Sequence, residues 1–288
     1  MKELARSTPT GIPAEPFFLK ADVGERFCLF HPPHPNGEHR GAFIYIHPFG
    51  DEMNKSRRMA AMQARAFAAM GFGVLQIDLF GCGDSSGEFS DARWNIWKQD
   101  LAIARSWLEN RVATPVSLWG LRLGALLALD FARSSENTID QIILWQPVIN
   151  GESFLNQFLR LRLANEIFAG AASEKATGTN TMRTSLSNGE TLEVAGYELA
   201  PGLAAAIDGL KAAELVVAKS TIRWFEIVAD SSRSMTPAGA NVVNEWKRNG
   251  VDPHVHLVPC SPFWATQEIS ECAELVSATQ KIFATVTS

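Results

Sequence analysis

The sequence predicts an α/β protein with a mostly parallel central sheet, helices on both faces and one inserted lobe. Short, continuously apolar segments alternate with longer helical ones, a pattern typical of parallel strands covered on both sides. The chain has 288 residues, of which 46% are hydrophobic and 20% charged, and this suits one large domain with a sizeable core. In addition, a glycine-bounded turn at 120–124 joins an apolar strand to an apolar helix.

The N-terminal half opens with two predicted strands and then alternates strand and helix. Residues 17–33, FFLKADVGERFCLFHPP, predict two strands joined by a turn at 22–24, which we expect to form an antiparallel edge of the sheet. The elements that follow are a strand at 41–49, a helix at 55–70, a strand at 73–80, a helix at 91–110 and the strand-turn-helix of 115–133.

The second half continues this alternation but is interrupted between 148 and 219. Inside the interruption we predict a helix at 154–168, a polar loop at 173–189, a hairpin turn at Asn188-Gly189 and a helix starting near Pro201. Outside it are predicted strands at 139–147, 221–230 and 254–260 and helices at 237–248 and 266–284. We therefore assign 1–147 and 220–288 to the core and 148–219 to a cap over the site. A decorative lobe or an oligomer interface is the alternative.

The turn at 120–124 carries the first chemical signal. Gly120-Leu121-Arg122-Leu123-Gly124 keeps the spacing of Gly-x-Ser-x-Gly, in which a strained strand-to-helix turn presents the serine nucleophile of an α/β hydrolase. The spacing predicts the α/β-hydrolase fold, but Arg122 stands at the serine position. The nucleophile is therefore missing from its usual place.

The other two members of a Ser-His-Asp triad are expected on later loops of the sheet. Asp230 follows the strand at 221–230 and fits the position of the acid. The segment after the last strand, LVPCSPFWATQE, contains no histidine. The histidines of the chain all lie elsewhere: His31, His34, His39, His47, His254 and His256.

Arg122 cannot replace either missing group. A guanidinium stays protonated and offers only hydrogen-bond donors, so it is neither a nucleophile nor a base. A cation at the start of a helix also meets the positive end of the helix dipole, and we therefore expect an anionic partner. The two open interpretations are a structural salt bridge and a receptor for a ligand carboxylate or phosphate. The candidate partners within the chain are Asp230, Glu52, Asp84 and Glu268.

The oxyanion donors of the fold are better preserved than the triad. One donor is the backbone N–H after the nucleophile position, here that of Leu123, and the other comes from HPFGDE, where Phe49 or Gly50 would supply it. Backbone N–H groups beside a guanidinium form an anion site. Such a site holds a carboxylate but breaks no bond.

A relocated nucleophile is the alternative. The segment DLFGCGDSSGEF offers Cys82, Ser85 and Ser86, which we expect at the same edge of the sheet as the turn at 120–124. Each would need an adjacent base, and His47, at the end of its strand, is the histidine placed near enough. This interpretation predicts an active ester or thioester hydrolase. The other interpretation of His47 is a structural part within the oxyanion loop, the part that a histidine at this place plays in lipases.

Composition excludes several other functions. The formal net charge of −5 argues against a nucleic-acid-binding face. The four cysteines lack the spacing of a zinc site or a disulfide framework, and GCGDSSG misses the dinucleotide-binding spacing by one residue. We expect no metal, no cofactor and no transmembrane segment, and a reduced, cytoplasmic protein.

Four segments together resemble one particular family. HPFGDEMNKSRRM (47–59), DLFGCGDSSGEF (78–89), LWGLRLGALLA (118–128) and EVAGYELAPGLAAAI (193–207) are similar to the second type of exosortase A system-associated hydrolase. The resemblance implies an α/β-hydrolase fold and a bacterial setting in which PEP-CTERM protein sorting and exopolysaccharide production are encoded nearby. Of the superfamily's site residues, only Asp230 and the oxyanion loop carry over onto this sequence.

These observations together predict a protein that binds a small acyl or anionic ligand with little or no conventional serine hydrolase activity. The active hydrolase with a relocated nucleophile is one alternative. Another is an assembly partner, or a homodimer, whose apolar helix at 154–168 docks a protein or membrane surface. That helix would otherwise pack on the core.

Overall fold

The computed structural model describes residues 12–35, 38–112, 115–168 and 178–284. Its central sheet has eight strands in the order β1-β2-β4-β3-β5-β6-β9-β10. These strands are β1 (Glu15–Lys20), β2 (Glu25–His31), β3 (Gly41–Ile46), β4 (Phe72–Ile77), β5 (Val116–Leu121), β6 (Gln141–Trp145), β9 (Thr221–Val228) and β10 (His254–Pro259). A separate two-stranded hairpin consists of β7 (Leu192–Val194) and β8 (Tyr197–Leu199).

Strand direction confirms the predicted fold class. Strands β1 and β2 pair antiparallel with each other, and β2 pairs antiparallel with β4, so the early hairpin does form an antiparallel edge. Every later neighbour in the sheet is parallel. The carboxyl ends of these parallel strands therefore meet at one edge, where ligands bind in folds of this type.

Helices cover both faces of the sheet. They are α1 (Asp51–Ala69), α2 (Trp94–Val112), α3 (Leu123–Ser134), α4 (Gly151–Phe168), α5 (Thr179–Ser187), α6 (Pro201–Asp208), α7 (Pro237–Arg248) and α8 (Ala273–Lys281). Successive residues of a strand point to opposite faces of the sheet and pack into two separate cores. Phe43 packs with residues of α1 and α8, whereas Ile44 packs with residues of α2, α3 and α7. This period-two division is what a buried parallel strand requires.

The segment between β6 and β9 folds as a unit attached at a narrow neck. Its two ends are joined by backbone hydrogen bonds from Gly151 to Leu210 (2.8 Å) and from Ala212 to Ile149 (2.9 Å). Gly151 must be glycine, because an added Cβ would lie 1.7 Å from the carbonyl oxygen of Ile207. Helices α4, α5 and α6 and strand β7 pack on one another beyond this neck.

Several local predictions were wrong. The polar run at 173–189 contains helix α5, and 173–177 lie outside the described residues. The hairpin turn lies at Ala195-Gly196, where both residues have positive φ, whereas Gly189 follows the end of α5. The absence of a disulfide was also wrong, since Cys260 and Cys272 are paired. Glu274 brings a carboxylate oxygen within 4.8 Å of those sulfurs.

Among the described residues, no helix is long and apolar enough to cross a membrane.

Candidate functional site

The turn between β5 and α3 has the geometry of a strained strand-to-helix elbow. Arg122 has φ 55° and ψ −118°, a left-handed backbone that costs an L residue free energy. A Cβ added at Gly120 would lie 2.5 Å from the Cα of Ala125, and one added at Gly124 would lie 2.3 Å from the carbonyl oxygen of Ile46. Glycine at both positions therefore allows the tight turn that presents residue 122.

The Arg122 side chain is held by an acid and a ring. Its Nε donates a hydrogen bond to Glu52 Oε1 at 3.2 Å, and its guanidinium carbon lies 5.3 Å from the centroid of the Trp264 ring. Only 16% of the side chain is exposed. Of the partners predicted for this cation, the structure brings Glu52 to it. Asp84 and Glu268 are exposed residues of other loops.

Glu52 lies in the first turn of α1. Burial raises the pKa of its carboxyl, and the Arg122 guanidinium opposes that shift. The second carboxylate oxygen, Oε2, is buried and has no hydrogen-bond partner among the described residues. A buried acceptor without a donor costs free energy. One acceptor therefore remains open beside the cation.

Arg122 and Glu52 line a cavity of about 290 Å³. The walls combine aromatic rings with a few polar groups, and they come from α1, the elbow, α4, the β7–β8 turn and the loop after β10. The rings belong to Phe49, Phe154, Phe158, Tyr197 and Trp264. The remaining polar side chains are those of Asp51, Lys55 and Gln157. An apolar chamber with a few polar groups is typical of small-molecule sites.

The backbone donors predicted for an oxyanion lie together around a second, narrow space of about 10 Å³. Phe49, Gly50 and Leu123 all line it. Gly50 has φ 57° and precedes α1, whereas Leu123 is the first residue of α3. Each of these backbone groups therefore stands at the start of a helix, where N–H groups lack intrahelical acceptors.

His47 is occupied on both ring nitrogens. Nε2 accepts a hydrogen bond from the backbone N–H of Leu79 at 3.2 Å, so the proton lies on Nδ1, which donates to the carbonyl oxygen of Pro48 at 2.7 Å. Burial lowers the pKa of the imidazole. In this arrangement His47 joins two loops and has no lone pair for a substrate proton.

The candidate relocated nucleophiles are also engaged or buried. Ser85 Oγ donates to the carbonyl oxygen of Asp78 at 2.5 Å and accepts from the N–H of Phe27 at 2.9 Å. Ser86 Oγ accepts from the N–H of Glu25 at 2.9 Å. Burial raises the pKa of the Cys82 thiol, which disfavours the reactive thiolate. Both hydroxyls therefore hold strand β2 against the loop.

Asp230 lies at the surface, two residues beyond β9. Its carboxylate accepts the backbone N–H of Ser232 at 2.9 Å and pairs with Arg233 at 3.7 Å. The hydrogen bonds from Ser232 lower the pKa of this carboxyl. The structure does not bring Asp230 to Arg122.

The sequence reasoning missed a buried acid on the same strand. Glu226 is 2% exposed and accepts the backbone N–H of Thr236, just before α7, at 2.7 Å. Together with Arg122 and Gln146 it lines an open groove of about 580 Å³ on the other side of the elbow. An acidic residue within a largely apolar strand, as in TIRWFEIV, is the signal that could have drawn attention to it.

Trp264 was also missed. It lies in the loop after β10, in the segment where a triad histidine was sought, and it is 7% exposed. The neighbouring Phe263 is fully buried and anchors the loop. The disulfide between Cys260 and Cys272 closes the same loop at its two ends. An apolar ring therefore faces Arg122 in place of an imidazole.

The parallel sheet, the elbow and the insertion after β6 define the class of α/β-hydrolase folds. The family model Hydrolase_4, described as "Serine aminopeptidase, S33", matches residues 37–234, and the chain belongs to this family. The human "Protein ABHD12B" is 30% identical over 111 residues, a match that covers 37% of this chain and 29% of the human protein.

Solved structures show the same fold at low sequence identity. Est1E from Butyrivibrio proteoclasticus with ferulic acid bound has a TM-score of 0.69 at 14% identity, covering 93% of this chain and 97% of that one. A soluble variant of monoglyceride lipase from Saccharomyces cerevisiae with a substrate analog has a TM-score of 0.64 at 12% identity, covering 97% of each chain. A thermostable carboxyl esterase from Bacillus coagulans with glycerol has a TM-score of 0.64 at 14% identity, covering 94% and 98%.

Proposed function

We propose that this protein binds a small acyl or carboxylate ligand in the cavity above Arg122 and has little or no conventional serine hydrolase activity. The observation that carries the proposal is the arginine at the centre of a preserved elbow. The turn that would aim an attacking oxygen at a substrate instead aims a permanent cation into an aromatic cavity. A cation in that position attracts a ligand's acceptor atoms but cannot attack a carbonyl carbon.

The free donors around the cavity support an anionic or carbonyl head group. Arg122 uses Nε for Glu52, which leaves the terminal amino groups of the guanidinium for a ligand. Each charge-assisted hydrogen bond contributes about 1.5–3 kcal/mol. The proposed additional donors are the backbone N–H groups of Leu123 and of Phe49 or Gly50, which line the adjoining narrow space; Phe49 lines both spaces.

The aromatic walls support an apolar ligand body. The rings of Phe49, Phe154, Phe158, Tyr197 and Trp264 would remove an acyl or aryl group from water. Structural neighbours were solved with ferulic acid, a substrate analog and glycerol, and ligands of this size and kind are compatible with the volume here. We propose that 148–219 act as the cap, since Phe154, Phe158 and Tyr197 belong to that insertion.

The hydrolytic alternative would need a base that the described contacts do not supply. His47 is bonded on both nitrogens, and the hydroxyls of Ser85 and Ser86 are bonded to backbone groups. An ester or thioester hydrolase would therefore require these loops to rearrange. This alternative makes a distinct prediction that labelling can test.

The first experiment treats the purified protein with a fluorophosphonate probe and with a panel of short acyl esters and acyl thioesters. We expect neither labelling nor turnover. Stoichiometric labelling at Ser85 or Ser86, or thioester hydrolysis that disappears in Cys82→Ala or His47→Ala, would overturn the proposal.

The second experiment measures octanoate binding by isothermal titration calorimetry. We expect one site, and we expect Arg122→Met to weaken binding by about tenfold or more, because a charge-assisted hydrogen bond is lost. Arg233→Met is the matched control, since it removes the same charge from an exposed position. Equal affinities for the wild-type protein and Arg122→Met would contradict the assignment of Arg122.

The biological setting is a finer proposal. The four segments that resemble exosortase A system-associated hydrolases support a role near PEP-CTERM sorting and exopolysaccharide production. Inspection of the genes beside the coding sequence tests it: we expect exosortase and polysaccharide genes there. Their absence across several genomes that carry this chain would count against the setting, not against ligand binding.

A further inference from the structure

The Arg122–Glu52 pair presents two kinds of hydrogen-bonding group at one end of the cavity. Arg122 offers donors from its terminal amino groups, whereas Glu52, which also lines the cavity, carries Oε2, a buried acceptor without a partner that a head group reaches once the carboxylate turns toward the cavity. The two side chains are joined by the bond between Nε and Oε1 at 3.2 Å, and both line the same cavity. Recognition at this site is therefore set by a pair and not by the cation alone.

The charges of the pair cancel when Glu52 is ionised. The other charged groups that line the cavity are Asp51 and Lys55 of α1, which form their own ion pair at 2.7 Å. Helix α4 contributes Gln157, strand β8 contributes Tyr197, and the loop after β10 contributes Trp264 and Ala265, so the residues with which these elements line the cavity add no charge at neutral pH. A ligand carboxylate at Arg122 would thus meet an acidic neighbour, and no unpaired charged side chain in the lining would compensate for it.

We propose that Glu52 determines the head group that the cavity accepts. With Glu52 ionised, the pair fits a neutral group that carries an acceptor beside a donor, as a primary amide does. A carboxylate enters together with one proton taken from solvent, and that proton then lies on Glu52 Oε2 and is donated to the ligand oxygen. This inference rests on the proposed function, because it concerns the same cavity.

Two observations make the proton step accessible. Burial raises the pKa of the Glu52 carboxyl even against the opposing effect of Arg122. In addition, a carboxylate that approaches within hydrogen-bond distance raises it further, because like charges disfavour ionisation. Between the pKa values of the free and the bound protein, one proton is taken up on binding. Carboxylate affinity should then fall about tenfold for each unit of rising pH.

The test compares 3-phenylpropanoate with 3-phenylpropanamide, which have the same body and different head groups. Isothermal titration in two buffers of different ionisation enthalpy measures the protons taken up. For the wild-type protein, titrated at several pH values, we expect uptake of about one proton with the carboxylate in the range where its affinity falls with pH, and none with the amide at any pH. This measurement needs no variant, so it does not depend on how a substitution folds.

Glu52→Gln then mimics the protonated acid with a fixed N–H donor. One pH unit above the point where carboxylate affinity for the wild-type protein begins to fall, we expect this variant to bind the carboxylate about tenfold more tightly than the wild-type protein does, without proton uptake. We expect it to bind the amide less tightly than the wild-type protein does. Glu245→Gln is the matched control, because Glu245 is another acid paired with an arginine, exposed on α7.

The outcomes separate the two proposals. Carboxylate binding without proton uptake, or with an affinity unchanged by Glu52→Gln, would overturn the role of Glu52 and leave ligand binding at Arg122 standing. Failure of both compounds to bind the wild-type protein and the Glu52→Gln variant would overturn the proposed function, and this inference with it.

Discussion

The elbow and the loops after β9 and β10 differ in how closely each matches the site of a serine hydrolase. At the elbow the backbone is preserved in detail, with two glycines pressed against neighbouring backbone and a left-handed residue between them. In the two loops the expected side chains are absent from the site: Asp230 bonds to Ser232 at the surface, and Trp264 lies near Arg122. The backbone turn of the fold is therefore present, whereas the side chains that the triad pattern predicts do not lie beside Arg122.

The difference indicates which part of the site costs conformational free energy, namely the backbone at Arg122. A left-handed non-glycine residue costs of order 1–3 kcal/mol, and it persists only when the surroundings enforce it. At Arg122 the enforcing contacts are those of β5, β6 and α3: its N–H donates to Trp145, and its carbonyl accepts from Ala125 and Val148. The strained turn presents Arg122 to the cavity, as the proposed binding role requires.

The largest predicted effect tests the tightness of the elbow. Gly124→Ala places a Cβ 2.3 Å from the carbonyl oxygen of Ile46 and 2.5 Å from that of His47, and backbone at the end of β3 cannot move away cheaply. We expect a loss of about 3 kcal/mol in the free energy of unfolding. Urea denaturation followed by circular dichroism measures it.

Gly209→Ala is the control for that substitution. Gly209 has φ −73°, and an added Cβ would lie no closer than 3.8 Å to its neighbours. We expect a change of less than about 1 kcal/mol, because alanine adopts this backbone without strain. Equal stabilities for the Gly124→Ala and Gly209→Ala variants would mean that the elbow is looser than these contacts indicate.

An intermediate effect tests the loop that carries Trp264. Trp264→Leu removes the ring whose centroid lies 5.3 Å from the Arg122 guanidinium. A cation–π contact contributes about 0.5–2 kcal/mol, so we expect octanoate binding to weaken about fivefold. Trp264→Phe keeps an aromatic face and should retain most of the affinity. If both variants bind octanoate as the wild-type protein does, the Trp264 ring contributes packing but no binding energy.

The fold could be predicted because its signals are local. Continuous apolar strands, helical periodicity and the spacing of Gly120 and Gly124 each arise within a few residues, and all agreed on one class. The predicted helix bounds were less accurate: α1 begins at Asp51, not at residue 55, and α8 at Ala273, not at residue 266. Helix α5 lies in a polar run for which the sequence predicts a loop; its Thr, Ser and Asn residues have low helix propensity, and packing against α4 and α6 supports the helix.

The site could be predicted only in part, because its contacts connect distant segments. Chemistry alone required an anion for Arg122, but four acids satisfied that requirement, and only the tertiary arrangement selects Glu52. Trp264 and the pairing of Cys260 with Cys272 had no motif to mark them. Each depends on how the loop after β10 folds back over the elbow. Sequence spacing could not supply that information.

The smallest predicted effect concerns the acid predicted from the triad pattern. Asp230→Asn should leave octanoate affinity within about twofold of the wild-type value, because its carboxylate faces Ser232 and Arg233, not the cavity. Glu226→Gln is the informative partner on the same strand. It weakens a charge-assisted bond to the N–H of Thr236, so we expect a loss of about 1 kcal/mol in stability with octanoate binding retained.

The two acids together decide whether any part of the triad survives in the loop after β9. If Asp230→Asn abolished octanoate binding while Glu226→Gln left it intact, the loop would have to fold inward when a ligand arrives, and the elbow would not be acting alone. If neither change affects binding, recognition depends on Arg122 and Glu52. The turn that presents Arg122 would then act in binding, and the loop after β9 would not.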